Sequence, residues 1–267
     1  MQNLDANKLE TIHLGFLKAV LGVRKTVPTP FVYTELNRMP LVITRKCSLV
    51  KYWLNILSLD FNNPVRKMYT ALLRASNEND GFAFWTTHIK SILSSNGFAN
   101  VWYTQGTMNN THFFKLFKQR LNDTFTQSCS DLVSQTSPNR LYRLLSPRIS
   151  GTEYLCNVKE KFLRMALAKM RLGSHNLMVE RGRWNKPRKI PFHDRLCQLC
   201  HTIEDEYHII IECPRFLVQR KKYIPNNVTT RPSMFKLINF LDNVKDNQLR
   251  KFSFFCYIVF NIYDSNL

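Results

Sequence analysis

Residues 195–214 read RLCQLCHTIEDEYHIIIECP. Within this stretch Cys197, Cys200, His208 and Cys213 stand in the order C-x2-C-x7-H-x4-C. Three thiols and one imidazole in so short a segment are what a four-coordinate structural zinc site requires. Thiolates are soft donors and imidazole is borderline, and a tetrahedral ion takes both while keeping no position open for a substrate. The C-x2-C turn can set two sulfurs on one side of the ion, with backbone N–H groups free to bond them. Thr202 followed by Ile203, Glu204 and Asp205 predicts a helix start with acids at its positive end. His208 then falls near the middle of that helix and Cys213 just past its last turn. The segment has little apolar surface to hold itself, and structural zinc in small modules contributes ~10–16 kcal/mol.

Other chemistries fit this stretch less well. Cys197-Gln-Leu-Cys200-His201 matches the C-x-x-C-H of c-type haem attachment, which requires an exported chain. The N-terminal residues carry acids and no uninterrupted apolar core, so no secretory signal is expected. A thioredoxin-like pair wants a βαβ context and would leave His208 and Cys213 without a role. His201 and His193 are alternative fourth ligands, and His208 has the better reach across a helix. Cys47, Cys129, Cys156 and Cys256 are scattered singly and read as ordinary reduced thiols.

The metal segment is approached through a strongly basic one. Residues 159–195 hold eleven Lys or Arg against Glu160, Glu180 and Asp194, and so contribute +8 of the chain's net +19. Such an excess costs self-repulsion in the folded state and points to a polyanionic partner, nucleic acid first. The candidate contacts are Lys161, Arg164, Arg171, Arg181, Arg183, Trp184, Lys186, Arg188, Lys189 and Arg195. Lysine and arginine meet phosphates, and an exposed aromatic ring can stack on unpaired bases. A core position for Trp184 and a solvated helix face for Arg164 and Arg171 are equally compatible with the sequence.

Outward from there, helical periodicity dominates. Leu163, Ala166, Leu167 and Met170 form an apolar stripe on a helix over residues 158–172, closed by Gly173, with Ser174 capping a short helix that follows. The arm RWNKPRKIPFHDR has two prolines and no period, which marks an ordered loop. After Pro214 the spacing predicts further helices, the last with Leu249, Phe252, Phe255, Cys256, Val259 and Phe260 inward. In the first half, Leu9, Ile12, Phe16, Leu17, Val20 and Leu21 repeat at helical spacing before Gly22. Thr29-Pro30, Pro40 and Asn63-Pro64 open three more helices, the last with Met68, Tyr69, Leu72 and Leu73 inward, and another centres on residues 85–93. The run FANVWYTQ suggests a short extended piece. A helix over residues 111–122 gives way to a polar stretch read as a connection.

The fold class expected is mainly α: a helical bundle in the N-terminal half and a helical C-terminal half containing a small Cys3His zinc module. The regions are 1–122, 123–157 and 158–267. Hydrophobic content of 44% excludes wholesale disorder, and 8 glycines in 267 residues argue against a loop-rich all-β protein. The longest apolar run, residues 252–263, is too short to span a bilayer, so an intracellular chain of nucleus or cytoplasm is expected. There is no Asp-Asp pair, Gly-rich phosphate loop, G-x-S-x-G or H-E-x-x-H, and a closed Cys3His site activates no water, so no enzymatic activity is expected.

The order AKMRLGSHNL, VERGRW, RLCQLCHTIEDEYHIIIECPRF resembles the C-terminal segment of non-LTR (LINE-like) retrotransposon reverse transcriptases, where a Cys-Cys-His-Cys zinc module follows the polymerase. FLKAVLGVRKTVPTPFVYTELNRMPL looks like the region after the polymerase domain. The resemblance implies Cys197, Cys200, His208 and Cys213 as zinc ligands. It also implies a grip on element RNA or target DNA during target-primed reverse transcription, with the rest of a retroelement machinery in trans as a partner. The Tyr/Phe-x-Asp-Asp polymerase motif and a downstream Pro-Asp endonuclease motif are absent, which fits a fragment, a truncated copy or a host reading frame derived from one. A protein-interaction scaffold, or an inert relic with purely structural zinc, is the alternative.

Overall fold

The computed structural model describes residues 4–78, 85–135, 140–145, 153–185, 187–243 and 246–265. In chain order the helices are α1 (Leu4–Leu21), α2 (Thr29–Leu36), α3 (Leu41–Leu57), α4 (Pro64–Glu78), α5 (Trp85–Ser95), α6 (Ala99–Tyr103) and α7 (Asn110–Gln135). They continue with α8 (Arg140–Leu144), α9 (Tyr154–Asn157), α10 (Lys161–Arg171), α11 (Met178–Trp184), α12 (Leu217–Tyr223), α13 (Asn226–Thr229), α14 (Met234–Asn243) and α15 (Asp246–Asp264). The class is mainly α, and the described residues contain no strand. The chain divides into two compact units, one of residues 1–10 and 39–128, the other of residues 11–38 and 129–267.

The first unit is built on α3 to α6 and most of α7. Asn63 opens α4 by accepting the Val65 N–H on its side-chain oxygen at 2.9 Å, which satisfies a donor the first turn would otherwise leave free. Asn109 does the same for α7 through His112. The core centres on Trp53, fully buried and stacked on Trp102 with ring centroids 5.9 Å apart. Its indole N–H donates to the Tyr69 hydroxyl at 2.9 Å, and that hydroxyl donates in turn to Gln105, so both of these polar groups find a partner. Tyr69 is buried, whereas Met68 is 64% exposed, so only part of the expected α4 stripe turns inward.

Two local expectations fail. FANVWYTQ is helical, not extended, because α6 buries the adjacent Val101 and Trp102 against the Trp53 core, and the described residues offer no strand to pair with it. The helix expected to stop near residue 122 runs on to Gln135. Phe113, Phe117, Leu121, Phe125, Cys129 and Val133 recur every fourth residue, and that stripe continues under the polar surface residues. Residues 136–139 and 146–152 of the polar stretch, and 79–84 of the loop before α5, lie outside the described residues.

The second unit packs α10 against α15. Leu163, Ala166, Leu167 and Met170 of α10 are buried, as are Leu249, Phe252, Phe255, Cys256, Val259 and Phe260 of α15. Gly22 ends α1 at φ +66, a left-handed conformation that favours glycine, and a Cβ there would crowd the Met165 side chain. Only Leu17 and Leu21 of the α1 stripe are buried; Leu9, Ile12, Phe16 and Val20 are exposed. Thr29 lies inside the first turn of α2, with Pro28 at the cap position and no side-chain bond. Ser174 caps nothing downstream; its hydroxyl accepts the Arg24 N–H at 2.8 Å, and α11 begins after Leu177.

Candidate metal centre and basic arm

The ligand atoms of Cys197, Cys200, His208 and Cys213 all lie within 4.8 Å of one another, and three of the four residues are buried. Cys200 Sγ and Cys213 Sγ are 3.9 Å apart, close to the edge of about 3.8 Å that a tetrahedron with metal–sulfur bonds of ~2.3 Å would have. The group is made by two turns. In the first, the Cys197 N–H donates to Thr202 O at 2.7 Å and the His201 N–H to Cys197 O at 2.9 Å, while Leu196 and Ile203 form an antiparallel bridge. His201 takes the left-handed conformation that closes this turn, at φ +53, and its side chain faces solvent. His193 is also exposed, 3.6 Å from Asp194. His208 is the imidazole that joins the thiols.

In the second turn the sequence reading is displaced. Residues 202–204 are extended by the bridge to Leu196, so the helix begins later, with Asp205 accepting the His208 N–H at 2.9 Å. His208 thus sits in the first turn of the helix instead of standing mid-way. The turn His208–Glu212 is π-helical, and its wide closure carries the Cys213 N–H to His208 O at 2.8 Å. Three carbonyls at its end, those of Ile209, Ile210 and Cys213, accept from the buried Arg220 guanidinium at 3.3, 2.7 and 2.7 Å. Nothing in the sequence set Arg220 apart from the basic residues around it.

The donor set has the chemistry of a cation site. His208 Nε2 is buried without a hydrogen-bond partner, although such an atom ordinarily has one. Its other nitrogen, Nδ1, is 3.3 Å from Glu212 Oε2 and 3.2 Å from Thr202 Oγ1. A carboxylate only accepts, so this contact places the proton on Nδ1 and leaves Nε2 with a free lone pair for a cation. Burial pushes the Cys213 thiol up to about 12, with Cys197 and Cys200 adding to the rise, and burial likewise raises Cys200. A cation seated among them would reverse that, and its uptake would release protons.

Around this centre the chain is tied to α11. Glu204 accepts the Val179 N–H on its backbone oxygen at 3.0 Å and the Met178 N–H on its carboxylate at 2.7 Å, and so caps the start of α11. Glu206, buried, meets His175 Nε2 at 2.9 Å. Arg195 donates to Ile190 O at 2.9 Å and Val179 O at 2.8 Å, while Ile190 N–H donates to Gly182 O at 2.9 Å. A Cβ on Gly182 would lie 2.9 Å from the Arg195 side chain, so a side chain there would displace the residue that pins the arm.

The ten candidate nucleic-acid contacts separate by surroundings. Lys161, Arg181, Arg188 and Lys189 are exposed, as is Trp184 at 54%. Four others are engaged within the protein. Arg171 was expected on an open flank, but it is sequestered against Glu35 at 2.7 Å, with the Tyr154 hydroxyl donating to the same carboxylate at 2.8 Å. Arg164 donates to Val158 O and Lys159 O at 2.8 and 2.6 Å, Arg183 pairs with Glu180 at 3.2 Å, and Arg195 is held as described. Lys186 lies outside the described residues.

No family model, curated protein or solved structure matches the chain. Fold and site together define a mainly helical protein with a Cys3His cluster able to hold a metal ion. Among the described residues, no helix is long and apolar enough to cross a membrane.

Proposed function

We propose that the chain is a zinc-stabilised, non-catalytic nucleic-acid-binding module of retroelement origin, gripping RNA or target DNA as in target-primed reverse transcription. Zinc is the ion of choice because three thiolates and one neutral imidazole close a tetrahedron and suit a metal without redox or oxygen-ligand demands. One observation carries the reading. The exposed Arg181, Trp184, Arg188 and Lys189 stand on a helix and arm whose shape is fixed, through Arg195 and Glu204, by hydrogen bonds to the metal segment. The charge distribution supports it: residues 11–38 and 129–267 hold 27 Lys and Arg against 13 Asp and Glu, a net +14 of the chain's +19.

The test combines metal analysis with binding. Purified protein should carry one zinc per chain, lost in Cys197→Ser, and should shift single-stranded RNA or DNA at low salt and release it as salt rises. Protein that folds without metal, or binding indifferent to salt, would overturn the reading.

A further inference from the structure

Beside the metal segment lies a cleft of about 520 Å³, within the ~300–1,000 Å³ range of small-ligand sites. Its rim carries two exposed aromatic rings, Trp184 at 54% and Phe192 at 46%, together with the exposed cations Arg143 and Lys189. Its interior is of mixed charge: the buried Glu180 and Glu206 and the half-buried Asp205 line it beside Arg183 and Arg195, with Arg183 paired to Glu180 at 3.2 Å.

We propose that this cleft receives a single unpaired nucleobase of a single-stranded nucleic acid, stacked on Trp184 and Phe192, while Arg143 and Lys189 meet the flanking phosphates. The inference rests on the nucleic-acid reading and narrows it to unpaired strands. The charge pattern decides which part of a nucleotide enters. Buried carboxylates repel a phosphate, so the phosphates stay at the cationic rim. A base tolerates the carboxylates, because its exocyclic amine donates to them, whereas a phosphate has only acceptors to offer. Two aromatic rings at the mouth of one cleft are a stacking platform that any base can use, so recognition there is of unpairedness before sequence.

The test compares the full-length, metal-loaded chain on single strands of one length, with normal or abasic sugars, and on a fully paired duplex, in both RNA and DNA forms. Each base-containing strand should bind about 5- to 100-fold more tightly than its abasic counterpart. Trp184→Ala and Phe192→Ala should erase most of that ratio, Trp184→Phe should restore much of it, and duplex affinity should not depend on Trp184. Equal binding of normal and abasic strands, or a ratio untouched by Trp184→Ala in protein that retains its metal, would overturn the cleft while leaving phosphate binding intact. Absence of salt-dependent binding to any of the strands would overturn both readings. The RNA and DNA arms report which sugar is preferred.

Discussion

At the scale of single residues, the metal cluster depends on what stands behind its imidazole. Glu212 and Thr202 hold His208 Nδ1, which fixes the tautomer that leaves Nε2 free. Glu212→Gln should therefore weaken metal binding by about 10- to 100-fold without removing a ligand, measurable by competition with a chromophoric chelator. His201→Ala should leave affinity nearly unchanged, since that ring faces solvent. Among the arginines, position in the fold separates two roles that composition cannot. Arg171→Ala strips the partner from the buried Glu35 carboxylate and should cost about 3–5 kcal/mol in denaturant unfolding. Arg181→Gln touches an exposed side chain and should change stability by less than about 0.5 kcal/mol while weakening nucleic-acid binding at every sequence. The convergence of Cys197, Cys200, His208 and Cys213 was legible because it is written in short covalent spacing. The fate of Arg171 was not, because its partner lies 136 residues away and only the tertiary fold brings them together.

At the scale of elements, legibility followed how many faces of a helix find a partner. The stripes of α10 and α15 pack against each other and were read correctly. In α1 the apolar arc is wide enough to offer two overlapping stripes, and periodicity alone cannot choose between them. The fold buries Leu17 and Leu21 and leaves Leu9, Ile12, Phe16 and Val20 outside. Leu17→Ala should accordingly cost about 2–5 kcal/mol, whereas Ile12→Gln should cost less than about 0.5, a contrast readable from two urea titrations. The short helix α6 was missed for a related reason. Aromatic and β-branched residues favour strands only where a sheet exists to receive them, and here Val101 and Trp102 find a helical core. Helix α7 outran its expected end because polar surface residues masked a buried or half-buried residue at every fourth position.

At the scale of the whole molecule, the basic excess and the Cys3His cluster fall in one unit. The residues that carry most of the basic excess also carry the Cys3His cluster, and the segment a zinc ion would rigidify bonds the arm at Ile190 through Arg195 and the start of α11 through Glu204. Removal of the ion would then loosen the arm as well as the cluster, so loss of metal and loss of binding should travel together. The measurement that tests this most directly is the affinity for a single-stranded oligonucleotide across a salt series, before and after chelation. If Arg143, Lys161, Arg181, Arg188 and Lys189 each neutralise a phosphate, the logarithm of affinity should fall with the logarithm of salt at a slope of about −3.5, and chelation should lower affinity throughout until zinc is restored. A flat salt series, or affinity unchanged by removal of the metal, would contradict the account.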